Sequence, residues 1–62
     1  MKYNLGDRAY IVENNHIIRE VTIISPKAGF CTFRFVGRDD GTKLREIRVF
    51  PTAEDAKRRI KK

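Results

Sequence analysis

The chain has little of the chemistry from which catalytic sites and structural staples are usually built. Its 62 residues hold one cysteine, one histidine, one methionine and no tryptophan. A single cysteine, Cys31, excludes an intramolecular disulfide. Together with the single His16 it also excludes a Cys/His set of the structural-zinc type. No apolar run exceeds the four residues Ala9-Tyr10-Ile11-Val12, far from the roughly 20 that a membrane-spanning helix requires. The stretch 1–7 lacks the apolar core of a secretory leader. An unpaired thiol fits a reducing compartment, so the expected location is cytoplasmic, with no membrane partner. Sixty-two residues make one domain near the lower limit of independent folding. With a disulfide and a Cys/His zinc site excluded, the expected source of stability is a compact β-rich core, alone or helped by self-association.

Turn chemistry divides the chain at even spacing into four strands, expected at about 8–13, 16–25, 30–36 and 42–50. Asn14-Asn15 tolerates the positive φ of a tight hairpin. The β-branched run from Ile17 to Ile24 is expected to stop at Pro26, with Lys27-Ala28-Gly29 completing a second turn. The segment 37–41 closes a third hairpin on its Asp40-Gly41 pair. Cys31, Phe33 and Phe35 share one face of the third strand, against Thr32 and Arg34 on the other. In the fourth strand Leu44 and Ile47 break the period of two. A β-bulge near Arg45-Glu46 is expected to return Leu44, Ile47 and Val49 to one face. Pro51 ends the sheet for want of an amide. Thr52 then caps a short helix at about 53–60, with Asp55 in a capping-box position. Ala53, Ala56 and Ile60 form its apolar stripe.

The start Leu5-Gly6-Asp7-Arg8-Ala9-Tyr10-Ile11-Val12, followed by three more strands, resembles the SH3-like small barrels, including Tudor-like and KOW-like modules. The later stretch, from Phe30-Cys31-Thr32-Phe33-Arg34-Phe35 to Asp55-Ala56, is similar to small uncharacterised Firmicute proteins, some linked to mobile elements. The resemblance implies a mainly β fold: an SH3-like barrel of four to five antiparallel strands in a meander, with a short C-terminal α-helix. It implies no activity. Peptide-binding SH3 domains generally use a tryptophan in an aromatic groove, which this chain lacks. A Tudor-type cage needs convergent aromatics, and Tyr3, Tyr10, Phe30 and Phe50 are the only candidates.

Candidate reaction chemistry is equally sparse. His16 follows a turn and has only Glu13 near it in sequence, and one titratable group without a positioned partner makes no site. Cys31 alternates with phenylalanines and reads as a buried, inert thiol. Asp39-Asp40 lacks the further oxygen ligands of a calcium loop. Gly37 and Gly41 bracket a hairpin and do not lead into a phosphate-binding helix. No catalytic residue, metal or cofactor is implied.

Charge is the remaining signal. Lysine and arginine outnumber aspartate and glutamate by fourteen to eight, and five of the fourteen fall in the last six positions. Part of that tail is ordinary helix-end chemistry, since Glu54-Asp55 followed by Lys57 to Lys62 complements the helix dipole. Glu54 with Arg58 and Asp55 with Arg59 also stand at i, i+4. Arg34, Arg45 and Arg48, with Lys43 nearby, suggest a basic stripe on the sheet that can track a phosphate backbone beside Phe30 or Tyr10. The expected function is a non-enzymatic module binding DNA or RNA with little sequence specificity. Its candidate contacts are Arg34, Arg45, Arg48, Lys57, Arg58, Lys61 and Lys62. The alternative is a protein-interaction module that uses a barrel edge or an apolar patch.

Overall fold

The first hairpin forms where two adjacent asparagines accept left-handed backbone, at φ 52° for Asn14 and 65° for Asn15. The structure, a computed structural model, describes residues 3–60. Strands β1 (Arg8–Glu13), β2 (Ile17–Lys27), β3 (Phe30–Phe35) and β4 (Gly41–Arg45) make one antiparallel meander in the order β1-β2-β3-β4. A 3₁₀ turn over Glu46–Arg48 and the helix α1 (Ala53–Arg59) follow. The architecture is therefore mainly β with one short C-terminal helix.

Alternation sorts the sheet into two faces. Ala9, Ile11, Val21, Ile23, Cys31 and Phe33 are buried on one, and Phe35 and Leu44 pack against them half-buried. Phe33 and Phe35 meet edge to face at 5.6 Å, an arrangement that ring quadrupoles favour. Two residues outside the sheet complete this core. Val49 follows the 3₁₀ turn, and Tyr3 buries its ring and donates its hydroxyl to the Val49 carbonyl at 2.9 Å. Burial, and then the nearby Cys31, Glu46 and Asp55, push the Tyr3 phenol up to about 12. Burial, then Glu46, pushes the Cys31 thiol up as well.

The second half of the meander departs from the expected boundaries. β2 does not stop at Pro26 but runs through it to Lys27. β1 pairs no further along β2 than Thr22, so that end of β2 is open on one side and tolerates a residue without an amide hydrogen. The turn is then only Ala28-Gly29, both at positive φ, the geometry of a two-residue hairpin loop. β3 ends at Phe35, one residue early, and Val36 is exposed. In the third hairpin the positive φ falls on Gly37. Gly41 starts β4 instead, and its missing Cβ is what allows the close approach to the Phe33 carbonyl.

No bulge forms at Arg45-Glu46, and β4 does not reach residue 50. The 3₁₀ turn breaks the strand there, and Val49 N–H closes it on the Glu46 carbonyl at 3.1 Å. Leu44 and Val49 turn inward as expected, but Ile47 points out and is 79% exposed. A tight turn resolves the broken period of two by sending one apolar residue to solvent. The register shift lies instead in β2, between Ile23 and Ser25. After the turn the chain crosses to the far edge of the sheet, where Tyr10 and Phe50 exchange two backbone hydrogen bonds of 2.8 Å. This is an isolated bridge and not a fifth strand, so the sheet is not closed.

Thr52 caps α1 by accepting the Asp55 amide at 3.1 Å. The helix packs on β1 and β2 with Ala56 fully buried and Ala53 and Ile60 half-buried, as the stripe predicts.

Candidate functional site

Directly paired residues of an antiparallel sheet share a face, and the register fixes what lies opposite the core. Phe30 stands between Lys27 and Arg45, Thr32 between Ser25 and Lys43, and Arg34 between Thr22 and Gly41. The outer face of β3 and β4, with the end of β2, thus carries Lys27, Arg34, Lys43 and Arg45. Same-face neighbours along a strand, such as Lys43 and Arg45, are about 7 Å apart at the backbone.

Phe30 is the centre of this group. The residue is 37% exposed. The Lys43 ammonium lies 5.4 Å and the Arg45 guanidinium 5.8 Å from its ring centroid, both within cation–π reach. A shallow depression of about 200 Å³ beside the ring is lined by Ser25, Lys27, Ala28, Phe30, Thr32 and Lys43. The aromatic ring holds both side chains over the surface without neutralising them.

Their lack of carboxylate partners distinguishes these cations from five others. Arg8 pairs with Glu20 at 2.9 Å, Arg19 with Glu13 at 2.8 Å and Arg38 with Asp40 at 2.8 Å. On α1, Lys57 pairs with Glu54 and Arg58 with Asp55. Among the described residues, none of Lys27, Arg34, Lys43 and Arg45 has such a partner. Glu20 is the only carboxylate that a strand places on this face, and Arg8 occupies it. Glu46 follows Arg45 in the chain but belongs to the 3₁₀ turn, past the end of β4.

The expected contacts therefore divide. Arg34 and Arg45 lie on one basic surface with Phe30. Arg48 does not extend that stripe, because the 3₁₀ turn carries it away from β4. It lines a cleft with Val12, Asn15, Phe50 and Arg59 at the β1 edge. Lys57 and Arg58 are exposed, but each is engaged by an acid of its own helix, at i, i+3 and not at the expected i, i+4. Both spacings are neighbours on a helix surface, and here the acids reach the nearer base. Lys61 and Lys62 lie outside the described residues.

Lys27 and Arg59 join the arrangement without having been singled out as contacts. Reading Ala28-Gly29 as a two-residue loop puts Lys27 opposite Phe30. Helical pitch puts Arg59 three residues from Ala56, on the packed side.

The remaining candidates have structural employment. His16 is exposed, and its Nδ1 donates to the Asn14 carbonyl at 2.6 Å within the turn. Cys31 is buried. The four aromatics do not converge on a cage: Tyr3 is in the core, Tyr10 and Phe50 pair at the β1 edge, and Phe30 stands on the β3–β4 side. Among the described residues no group of three His, Cys, Asp or Glu side chains is placed to hold a metal ion, and no helix is long and apolar enough to cross a membrane. No protein-family model, curated protein or solved structure matches the chain.

Proposed function

We propose that the protein is a small, non-enzymatic module that binds nucleic acid through phosphate contacts, with little sequence preference. The observation that carries this reading is the cluster around Phe30. An exposed Phe30 is overlain by Lys43 and Arg45, with Lys27 paired beside it and Arg34 further along β3, and no carboxylate is paired with these cations among the described residues. Unpaired cations with a stacking surface bind a phosphate backbone and an unstacked base without reading base edges. Phe30, Lys27, Lys43 and Arg45 are the principal contacts, with Arg34 as an outer one. The Tyr10–Phe50 bridge returns the chain to the β1 edge after four meander strands. That return supports an SH3-like small barrel as the underlying fold.

A second reading has its own observation. Ile47 is 79% exposed beside a depression lined by Val49, Phe50 and Pro51 and rimmed by Glu46 and Asp55. This surface suits an apolar protein segment and supports a protein-interaction module. Titrating single-stranded and duplex oligonucleotides into ¹⁵N-labelled protein at low and moderate salt separates the two. Nucleic-acid binding gives shifts centred on Phe30, Lys43 and Arg45 that fade steeply with salt. Unchanged spectra at low salt reject it in favour of the second reading.

A further inference from the structure

A separate cationic pair lies at the other edge of the sheet. Arg48, at the end of the 3₁₀ turn, and Arg59, in the last turn of α1, line one cleft of about 270 Å³ with Val12, Asn15 and Phe50. Three elements wall it: the β1–β2 hairpin, the segment bridged to β1, and the helix. Each is pinned, by the Asn14-Asn15 turn, by the paired Tyr10–Phe50 hydrogen bonds and by buried Ala56 respectively. The cleft is therefore built into the fold.

Its charge is uncompensated. Neither Arg48 nor Arg59 meets a carboxylate among the described residues, although Lys57 and Arg58 on the same helix each hold one. Guanidinium groups keep their charge throughout the physiological range. Two of them lining one cleft give it a positive potential that favours an anion. Guanidinium also matches phosphate through paired, parallel hydrogen bonds. A phosphate monoester carries about −1.5 to −2 charges near neutral pH, which complements two arginines better than the single charge of a phosphodiester. The volume falls just below the roughly 300–1,000 Å³ of drug-sized pockets, so the occupant is small. Phe50 and Val12 offer it an apolar wall, and the Asn15 amide offers both a donor and an acceptor.

We infer that this cleft binds a phosphate monoester of nucleotide size, with the phosphate between Arg48 and Arg59 and the organic part against Phe50 and Val12. The site is independent of the Phe30 surface. Its occupant is either a free mononucleotide or the phosphorylated end of a strand, since both present the same group.

The test is a titration of ¹⁵N-labelled protein at fixed ionic strength with adenosine 5′-monophosphate, with adenosine, and with a 5′-phosphorylated dinucleotide. The monophosphate is expected to give saturable shifts at Asn15, Arg48 and Arg59, and adenosine none. Arg48→Gln or Arg59→Gln should weaken the monophosphate about tenfold or more, with the amide spectrum otherwise retained, while Arg38→Gln, in the third hairpin and outside both surfaces, leaves it unchanged. Tighter binding of the dinucleotide identifies a strand end as the occupant, and equal or weaker binding a free mononucleotide. Equal shifts with adenosine, shifts that do not saturate, or monophosphate shifts centred on Phe30 overturn the inference. Failure of oligonucleotides to bind the Phe30 surface leaves it standing.

Discussion

Removing one oxygen from the core, by Tyr3→Phe, tests how the N-terminal segment holds the crossover after β4. The Tyr3 hydroxyl donates to the Val49 carbonyl at 2.9 Å, and Val49 is 2% exposed. The phenylalanine ring fills the same space but leaves that carbonyl buried without its donor, a loss of about 1–3 kcal/mol. Folding stability for a domain of this length is about 3–9 kcal/mol, so the fraction is large. In a thermal melt at pH 7 it corresponds to a fall of at least about 5 °C. Alkaline pH gives a second readout. The phenol is raised to about 12 from its ordinary 10.0, so the folded state favours its neutral form. That contribution is complete below pH 10 and is lost as pH rises from 10 to 12, reaching about 2–3 kcal/mol. Cys31 is also raised and loses stability in the same direction in both proteins, so their comparison reads Tyr3 together with its coupling to Cys31. Urea unfolding from pH 7 to 11.5 should therefore show the wild type losing stability faster than Tyr3→Phe above pH 10. Equal melting temperatures at pH 7 together with parallel alkaline curves would refute the reasoning.

Two backbone predictions follow from the hairpins. Ala28 holds φ 53° without the freedom of glycine, so Ala28→Asn should relieve strain in the two-residue loop. A gain of about 0.5–1 kcal/mol is expected, and a lower urea midpoint would contradict it. Gly41 is tied to its place by contact, since a Cβ there falls on the Phe33 carbonyl oxygen and within 2.8 Å of the Arg34 Cα. Gly41→Ala should cost about 1–3 kcal/mol and reduce amide-exchange protection along β4 first. Unaltered protection there would mean that β4 pairs differently.

Much of the fold was legible because it rests on local chemistry. Asn14-Asn15 takes the positive φ that a hairpin needs, and Thr52 accepts the Asp55 amide as an N-cap. The 31/33/35 alternation turns its cysteine and two phenylalanines to the core. What escaped depends on partners distant in sequence. Whether Pro26 ends a strand depends on how far β1 reaches along β2. The conflict between Leu44 and Ile47 has two local solutions, a bulge or a 3₁₀ turn. The need to bring Val49 under Tyr3 and Phe50 to Tyr10 accompanies the turn, and Ile47 is left in water. The basic stripe divided for the same reason, because three residues beyond Arg45 the chain has left β4. Charge counting likewise could not separate Lys57 and Arg58, occupied by neighbouring acids, from Lys43 and Arg45, held over Phe30.

The most direct test of the Phe30 surface is the salt dependence of its affinity for a single-stranded oligonucleotide. Each cation that neutralises a phosphate adds about −0.7 to the slope of log affinity against log salt. The Lys43→Gln/Arg45→Gln double variant should therefore bind more weakly, with a slope shallower by about 1.4. A slope unchanged from the wild type, or no measurable binding by the wild type at low salt, would contradict the assignment of this face to phosphate recognition.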